Sequence, residues 1–275
     1  KGPGDDGAFA MVPWSPIEPD SIVQTFILDE QNPSSVAACL SNVHLNAQKA
    51  RNKMDADSWE VLHRSYISGA SPPNDLLENE QINEYCDDVR RKMHEFTGSI
   101  QSHMFRGEGW RYLGAGRLIE RADNTLRQLK VYRSAVDASD AGPESRTKNR
   151  LFLKSAGINR IPADRGQECL EGPTSILDLL LDSGASPRSV KYSLDGLHRI
   201  LLEIQELYYP DRDLPIRLLE TIADNMAGGE SDSVDLSFFE SNLERLAELS
   251  NELVQEFKEG SSDPSKTGRS LQSQQ

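Results

Sequence analysis

The sequence predicts an all-α protein, built as a bundle of amphipathic helices. Apolar residues recur every three or four positions over long stretches, and Ser, Asp and Asn precede several of these stretches, as they do at helix starts. No segment alternates apolar and polar residues with the period of two that marks a half-buried strand. With 275 residues, of which 37% are hydrophobic, the chain is long enough to bury a sizeable core.

Helix starts can be placed from the residues that begin them. Asn32 with Pro33, and Ser186 with Pro187, are predicted helix starts, because a polar residue caps the first turn and proline is tolerated at the first helical position. A further helix is predicted after Asp57 and Glu60, which form a capping box. The remaining predicted helices cover 21–29, 75–105, 174–182, 214–226 and 236–257. The last of these begins with a second capping box, formed by Ser237 and Glu240.

Two helical units are predicted from the distribution of these segments. The boundaries are an irregular leader at 1–20, a helical unit at 21–137, a loop or disordered stretch at 138–173 with one short helix near 150–155, a second helical unit at 174–259, and a flexible tail at 260–275. At one constant offset, Pro33, Ser35, Val36 and Leu40 recur as Pro187, Ser189, Val190 and Leu194. This repeat predicts that the bundle is built from a duplicated helical unit.

The run from Gly107 to Leu126 holds the most distinctive pattern in the chain. When it is placed on a helix, one side is apolar and carries Leu118, Ile119, Ala122, Leu126 and Leu129. The opposite side carries Arg117, Glu120, Arg121 and Asn124. This charged side is either a solvated helix face or an interior cluster in which Glu120 pairs with an arginine of another helix. Gly114 and Gly116 each weaken a helix by about 1 kcal/mol relative to Ala, so we expect a neighbouring backbone to approach them closely.

This run, from Trp110-Arg111-Tyr112 through Glu120-Arg121-Ala122, resembles the Glu-Arg motif of the Alpha-E family, a bacterial family of all-helical domains. Two further stretches resemble the family in the expected order, namely Asn32-Pro33-Ser34-Ser35-Val36 with the Trp59-Glu60 segment after it, and Leu179 to Asp195. The resemblance covers residues 24–205. The family is thought of as carrying two Glu-Arg motifs, and the repeat offset places the first before the chain begins. We therefore expect the first motif to be missing, through truncation or divergence.

The resemblance implies a non-catalytic accessory or interaction domain. Family members are expected alongside circularly permuted ATP-grasp ligases and transglutaminase-like proteins, in a peptide-forming or peptide-modifying system. An ATP-grasp ligase or a transglutaminase-like protein is therefore the expected partner. Arg117 and Arg121 would pair with a carboxylate or a phosphate while Glu120 orients them. The residues expected to bind the partner or its ligand are Arg117, Glu120, Arg121, Asn124 and Trp110.

Two alternative functions stay open at this point. A stand-alone enzyme would use the charged side of the helix as an active cleft, although a glutamate between two arginines should have a depressed pKa, which makes Glu120 a poor general base. A purely structural scaffold would self-associate as a homo-oligomer through the apolar stripe of the last helix, from Phe238 to Phe257.

Composition argues against several other classes of function. The net charge of −14 and the pI near 4.8 argue against binding to a nucleic-acid backbone. No apolar run is long enough to span a membrane, and the scattered Cys39, Cys86 and Cys169 indicate a reducing cytoplasm. No metal is predicted, because the Glu-x-x-His spacing of Glu60 and His63 occurs once. No cofactor is predicted, because the Gly-x-Gly elements do not follow a strand.

Overall fold

The computed structural model describes residues 23–69, 79–136, 143–159, 170, 172–212, 214–228 and 234–261. These residues form helices and turns and contain no strand, so the predicted all-α class is confirmed. The chain divides into two compact units, unit 1 over residues 1–110 and unit 2 over residues 111–275. The predicted leader at 1–20, most of the predicted tail and Cys169 lie outside the described residues.

Nine α-helices lie within the described ranges. They are α1 (Val36–Lys49), α2 (Ala56–Gly69), α3 (Asn79–His103), α4 (Glu108–Ala135), α5 (Pro143–Ser155), α6 (Pro173–Leu181), α7 (Val190–Tyr208), α8 (Ile216–Gly228) and α9 (Leu236–Ser261). A single π-helical turn, Gln24–Leu28, precedes α1, and a 3₁₀ turn, Arg51–Lys53, joins α1 to α2. None of the described helices combines the length and the hydropathy needed to cross a bilayer.

Unit 1 is held together by polar contacts as well as by apolar packing. Helix α2 packs against both α1 and α3. Between α2 and α3, the Tyr85 hydroxyl donates to the Gly69 carbonyl at 2.6 Å, and the hydroxyls of Ser58 and Ser99 lie 3.2 Å apart. All four of these residues are buried, so these contacts satisfy polar groups that would otherwise be costly to bury.

Unit 2 has the larger apolar core. The five apolar positions predicted for one side of α4 are all buried in it. The apolar stripe of α9 is also covered within this unit, since Phe239, Leu246, Leu249 and Leu253 are buried and Phe238 packs against the same core. This packing removes the main support for a scaffold that self-associates through α9, because its apolar stripe already has a partner.

The structure divides the chain at other places than the sequence predicts. The boundary between the units falls at residue 110, inside the first turn of α4, and not at 137. The stretch 138–173, predicted as loop or disordered, contains α5, which is longer than the short helix expected near 150–155. Its apolar periodicity is weak because a polar residue, Asn149, is fully buried there. Asn149 accepts a hydrogen bond from the Tyr132 hydroxyl at 2.6 Å and donates to the Leu170 carbonyl at 3.0 Å.

The predicted helix start at Asn32 and Pro33 is a turn that precedes the helix. Helix α1 begins at Val36, and its cap is Ser35, whose hydroxyl accepts a hydrogen bond from the Ala38 N–H. The Ser35 N–H donates to the Asn32 carbonyl at 3.0 Å, which closes a four-residue turn. Pro33 lies at the second position of this turn, where its fixed φ is favourable.

The predicted start at Ser186 and Pro187 has the same local geometry. Helix α7 begins at Val190, and the Ser189 hydroxyl accepts from the Tyr192 N–H at 3.1 Å. The Ser189 N–H donates to the Ser186 carbonyl at 2.9 Å, as Ser35 does to Asn32. The duplication of a whole helical unit stays a prediction, but the two turn-and-cap segments are alike.

Two predicted capping boxes are replaced by aspartate caps. At the start of α2, Asp55 Oδ1 accepts from the Ser58 N–H at 2.8 Å, so the cap precedes Asp57. At the start of α9, Asp235 Oδ1 accepts from the Phe238 N–H at 2.9 Å and from the Ser237 hydroxyl at 2.7 Å. These hydrogen bonds lower the pKa of Asp235. Aspartate is as good a cap as serine, and in both helices it lies two residues before the predicted capping residue, so the helix starts earlier than the capping box indicates.

The glycines of α4 are not explained by a neighbouring backbone, and that expectation is wrong. A Cβ on Gly114 would meet only the Ile200 side chain, at 3.1 Å, and a Cβ on Gly116 would meet nothing within 4 Å. Gly157, at the end of α5, is under a real constraint. Its φ is +81°, and a Cβ there would lie 2.9 Å from Nη2 of Arg188.

Alanine at these two glycines should therefore have opposite effects. Gly116→Ala should raise the free energy of unfolding by about 0.5–1 kcal/mol, because it removes the helical cost of glycine in open space. Gly157→Ala should lower it by about 1–2 kcal/mol, because it puts a side chain in a left-handed conformation beside Arg188. Denaturant unfolding of both variants measures this, and a Gly157→Ala variant as stable as the wild type would contradict the assignment.

The two serine caps offer a second comparison. Ser35→Ala and Ser189→Ala should each lower the free energy of unfolding by about 0.5–2 kcal/mol. The loss should be larger for Ser189, because its hydroxyl also donates to the buried Ser183 carbonyl. Thermal and denaturant unfolding of the two variants test this order. An equal or larger loss for Ser35→Ala would show that the extra hydrogen bond does not contribute.

Candidate functional site

Helix α4 presents the charged residues of the Glu-Arg run on the side opposite its buried one. Arg117, Glu120 and Asn124 are exposed, and Arg121 is half-buried. The sequence left open whether this charged side is a solvated helix face or an interior cluster, and three of its four residues lie on a solvated face. Arg121 is the exception, since it contacts another element of unit 2.

Arg121 and Thr125 bind the turn that precedes α7. Arg121 Nη1 donates to the Pro187 carbonyl at 3.1 Å. The Thr125 hydroxyl lies 3.0 Å from the Arg188 carbonyl and 2.9 Å from the Arg121 carbonyl, so its one hydrogen is shared between them. Thr125 did not stand out in the sequence, although it lies one helical turn after Arg121. Together the two side chains attach α4 to the start of α7.

A third arginine joins Arg117 and Arg121 through this turn. The guanidinium of Arg188 lies over Gly157, in the space that a side chain at that position would fill. Partial burial lowers the pKa of Arg121, and the positive charges of Arg117 and Arg188 lower it further. We refer to Arg117, Arg121 and Arg188 as the arginine cluster. No carboxylate among the described residues lies within ion-pair distance of any of the three.

Glu120 does not belong with this cluster, and its predicted pKa shift is wrong. Partial desolvation raises the pKa of the Glu120 carboxyl, Asp123 raises it further, and Arg127 acts in the opposite direction. Arg127 is engaged with Asp123, through hydrogen bonds of 2.6 and 3.1 Å. The raised pKa of Glu120 therefore reflects burial and the charge of Asp123, and no ion pair joins Glu120 to Arg117 or Arg121 among the described residues. An orienting role for Glu120 toward Arg117 and Arg121 finds no contact in this arrangement.

The two remaining candidate residues lie apart from these interactions. Asn124 is exposed and makes no hydrogen bond to another described residue. Trp110 is described with unit 1, where the guanidinium of Arg106 lies 4.4 Å from its ring centre. A binding role for either of them stays a prediction.

The two residues of the Glu-x-x-His pair in α2, Glu60 and His63, contact different neighbours. Glu60 lies 3.9 Å from Arg64, one turn along the same helix. His63 stacks on Trp59, with ring centres 5.7 Å apart and planes 9° apart. Within the described parts of the chain, no group of three or more His, Cys, Asp or Glu residues is arranged to hold a metal ion.

A stack of aromatic and histidine rings between α1 and α2 was not foreseen from the sequence. His44 of α1 lies parallel to Tyr66 at 4.1 Å and 5.2 Å from His63. Its Nε2 is 2.9 Å from Gln48 Nε2, and its Nδ1 is buried without a hydrogen-bond partner among the described residues. Burial, and then the neighbouring His63, lower the pKa of His44. Only the tertiary packing of α1 on α2 brings these rings together.

Comparison with known proteins identifies the class of this fold. A family model described as a predicted alpha-helical domain with a conserved ER motif, Alpha-E, matches residues 7–259. This chain belongs to the Alpha-E family, and the resemblance stated from the sequence is thereby confirmed. That Glu120-Arg121 is the ER pair of the motif stays a prediction from the sequence.

One relative is similar at low identity. It is the uncharacterized protein Rv2567 of Mycobacterium tuberculosis (strain ATCC 25618 / H37Rv), which is 23% identical over 188 residues. The alignment covers 67% of this chain and 21% of that protein, so this chain spans about a fifth of its relative's length. No solved structure matches the chain.

The ring stack predicts how stability depends on pH. Because the pKa of His44 is lowered on folding, the folded chain binds fewer protons, and the free energy of unfolding should fall as the pH drops below the ordinary histidine value of 6.5. Unfolding followed between pH 7.5 and about 5 measures this slope. His44→Gln should flatten it, whereas His94→Gln, at an exposed position, should not. Equal slopes in all three proteins would contradict the assignment to His44.

Proposed function

We propose that this chain is a non-catalytic accessory domain that works with an ATP-grasp ligase or a transglutaminase-like protein in a peptide-forming or peptide-modifying system. In this role, Arg117 and Arg121, together with Arg188, hold an anionic group of the partner or of its substrate. The observation that carries the proposal is the arginine cluster, three neighbouring guanidinium groups without a described counter-ion in a chain of net charge −14. Guanidinium groups bind carboxylates and phosphates through paired hydrogen bonds.

The relative's length supports an accessory role. The segment similar to this chain makes up 21% of that protein. A helical unit that accounts for a fifth of a longer chain is well placed to serve other parts of the same polypeptide. In this chain the corresponding partner would be a separate protein or a further segment. A cytoplasmic location fits the proposal, since Cys86 is a free thiol.

A stand-alone enzyme is the second candidate. The raised pKa of Glu120 favours it, because a general base works best when its pKa approaches the operating pH. Asp123 and Arg127, the two charged groups that act on its pKa, form an ion pair with each other, however, and no hydrogen bond joins Glu120 to a nucleophile or a base among the described residues. The accessory role therefore has the stronger support.

The proposal predicts a binding defect without unfolding in Arg117→Ala. Arg117 is exposed and makes no described hydrogen bond, so its loss should leave the unfolding transition unchanged while recovery of the partner falls. The measurement is affinity purification of the tagged full chain from its native host, with quantitative mass spectrometry. Arg91→Ala, which removes an equal charge from unit 1, is the matched control and should retain the partner.

The outcomes separate the candidate functions. An ATP-grasp or transglutaminase-like protein that is recovered with the wild type and with Arg91→Ala, but less with Arg117→Ala, supports the proposal. Unfolding of Arg117→Ala without a separable binding defect would overturn it and favour a structural role for the motif. Equal recovery with all three proteins would place the docking surface elsewhere.

A further inference from the structure

We propose that the arginine cluster binds an acidic peptide segment whose carboxylates pair with Arg117, Arg121 and Arg188. This inference rests on the proposed function, because it names the chemistry of the group that the accessory domain holds. It also adds Arg188, which the sequence pattern did not single out.

The first argument is electrostatic. Arg117 lies one helical turn from Arg121, and Arg188 belongs to the turn whose Pro187 carbonyl Arg121 binds, so both positive charges lie near the Arg121 guanidinium. After burial, which is the larger cause, these two charges lower the pKa of Arg121. Nearby acids are engaged elsewhere, since Asp123 pairs with Arg127 at 2.6 Å and Asp182 lies 3.5 Å from Lys191. Although the chain has 44 acidic residues, no carboxylate of its described part forms an ion pair with this cluster. A bound anion would relieve the repulsion, and local arrangements that cost stability are typical of functional sites.

The second argument is that two members of the cluster, Arg121 and Arg188, have contacts that position them before any ligand arrives. Arg121 is tethered to the Pro187 carbonyl, and Thr125 holds the Arg188 backbone. The guanidinium of Arg188 rests in the space left by Gly157. Side chains that are already positioned lose less conformational entropy on binding, which favours a specific contact over a transient one.

The third argument concerns the number of charges that the ligand must carry. Arg117 and Arg188 are exposed, and an exposed ion pair changes affinity by only about twofold to fivefold. A single carboxylate would therefore be held weakly, and several are needed. Arg117 and Arg121 lie one helical turn apart, about 6 Å along the axis. Carboxylates two residues apart on an extended peptide are separated by about 7 Å, which matches this spacing.

The fourth argument favours carboxylates over a dense polyanion. The net charge of −14 creates a repulsive field around the molecule, and this field opposes nucleic acids and polyphosphates most strongly. A short peptide with a few carboxylates experiences less of this repulsion and can still reach all three guanidinium groups. Peptides are also the substrate class of the system to which the proposed function assigns this domain.

The test uses the full chain and a short fluorescent peptide of alternating glutamate and glycine. Fluorescence anisotropy at low salt measures its Kd, with the glutamine-for-glutamate peptide as the neutral control and inorganic pyrophosphate as the competitor. We expect the glutamate peptide alone to bind, and binding to weaken with added salt. Arg117→Ala and Arg188→Ala should each weaken it by about twofold to fivefold, and both together by roughly tenfold. Arg91→Ala should leave it unchanged.

Several results would overturn the inference. The first is equal binding of the glutamine peptide and the glutamate peptide. The second is a loss of affinity with Arg91→Ala as large as the loss with Arg117→Ala. The third is displacement by pyrophosphate at a lower concentration than by unlabelled glutamate peptide, which would make this a phosphate site. Arg121→Lys, which keeps the charge, checks the half-buried position without removing its cation. Should Arg188→Ala unfold the chain, Arg188→Gln, read by unfolding and anisotropy together, separates folding from binding.

Failure of this inference can be told apart from failure of the proposed function. If the partner is recovered from the host but the glutamate peptide does not bind, the accessory role stands and the peptide chemistry is wrong. If the peptide binds through the three arginines but no ATP-grasp or transglutaminase-like protein is recovered, the chemistry stands and the assigned partner is wrong.

Discussion

The attachment of α4 to the turn before α7 is the contact on which the architecture of unit 2 depends. Two backbone carbonyls of that turn, at Pro187 and Arg188, are bound by side chains of α4. The turn itself is closed by serines, since Ser189 caps α7 and also donates to the Ser183 carbonyl. Arg121 of the motif and Thr125, one turn later, thus provide hydrogen-bond donors to the backbone of this turn. This explains why a polar motif lies at the edge of an apolar core.

The same contact separates the two residues of the motif into different roles. Arg121 is part of the joint between elements and part of the charged surface. Glu120 forms no ion pair with Arg121 among the described residues, and the charge of Asp123 contributes to its raised pKa. Arg117, which is one turn earlier and exposed, is the member whose loss should report on binding with least effect on folding. On the charged side of α4, Arg121 thus contacts another element, whereas Arg117 is accessible to a ligand.

Much of the fold follows from periodicity, because burial of one helix face imposes a pattern that a sequence displays directly. The core face of α4 and the stripe of α9 were predictable for this reason. The helix starts were displaced because a turn closed by Asn32 or Ser186 precedes the true cap, and propensity does not distinguish the two positions. Helix α5 was underestimated because Asn149 is buried through hydrogen bonds that depend on distant residues.

The site was less predictable than the fold, since its electrostatics depend on neighbours in space. The sequence places Glu120 between two arginines, whereas burial and the charge of Asp123 raise the pKa of its carboxyl. Arg188 could not be assigned to the cluster without the turn that carries it, nor His44 to a ring stack without the packing of α1 on α2. In each case the residue that determines the electrostatics or the ring contacts belongs to another element or to the next helical turn.

The close approach of Arg188 to Gly157 has a consequence for how this family varies. A side chain at position 157 would occupy the space where the guanidinium now lies, so the two positions constrain each other although they belong to different helical segments. Homologues that replace Gly157 should therefore also lose or move the arginine at position 188. Those that lose only the arginine should still favour glycine at position 157, because its φ is +81°. The covariation of this pair would trace which members of the family retain the same charged surface.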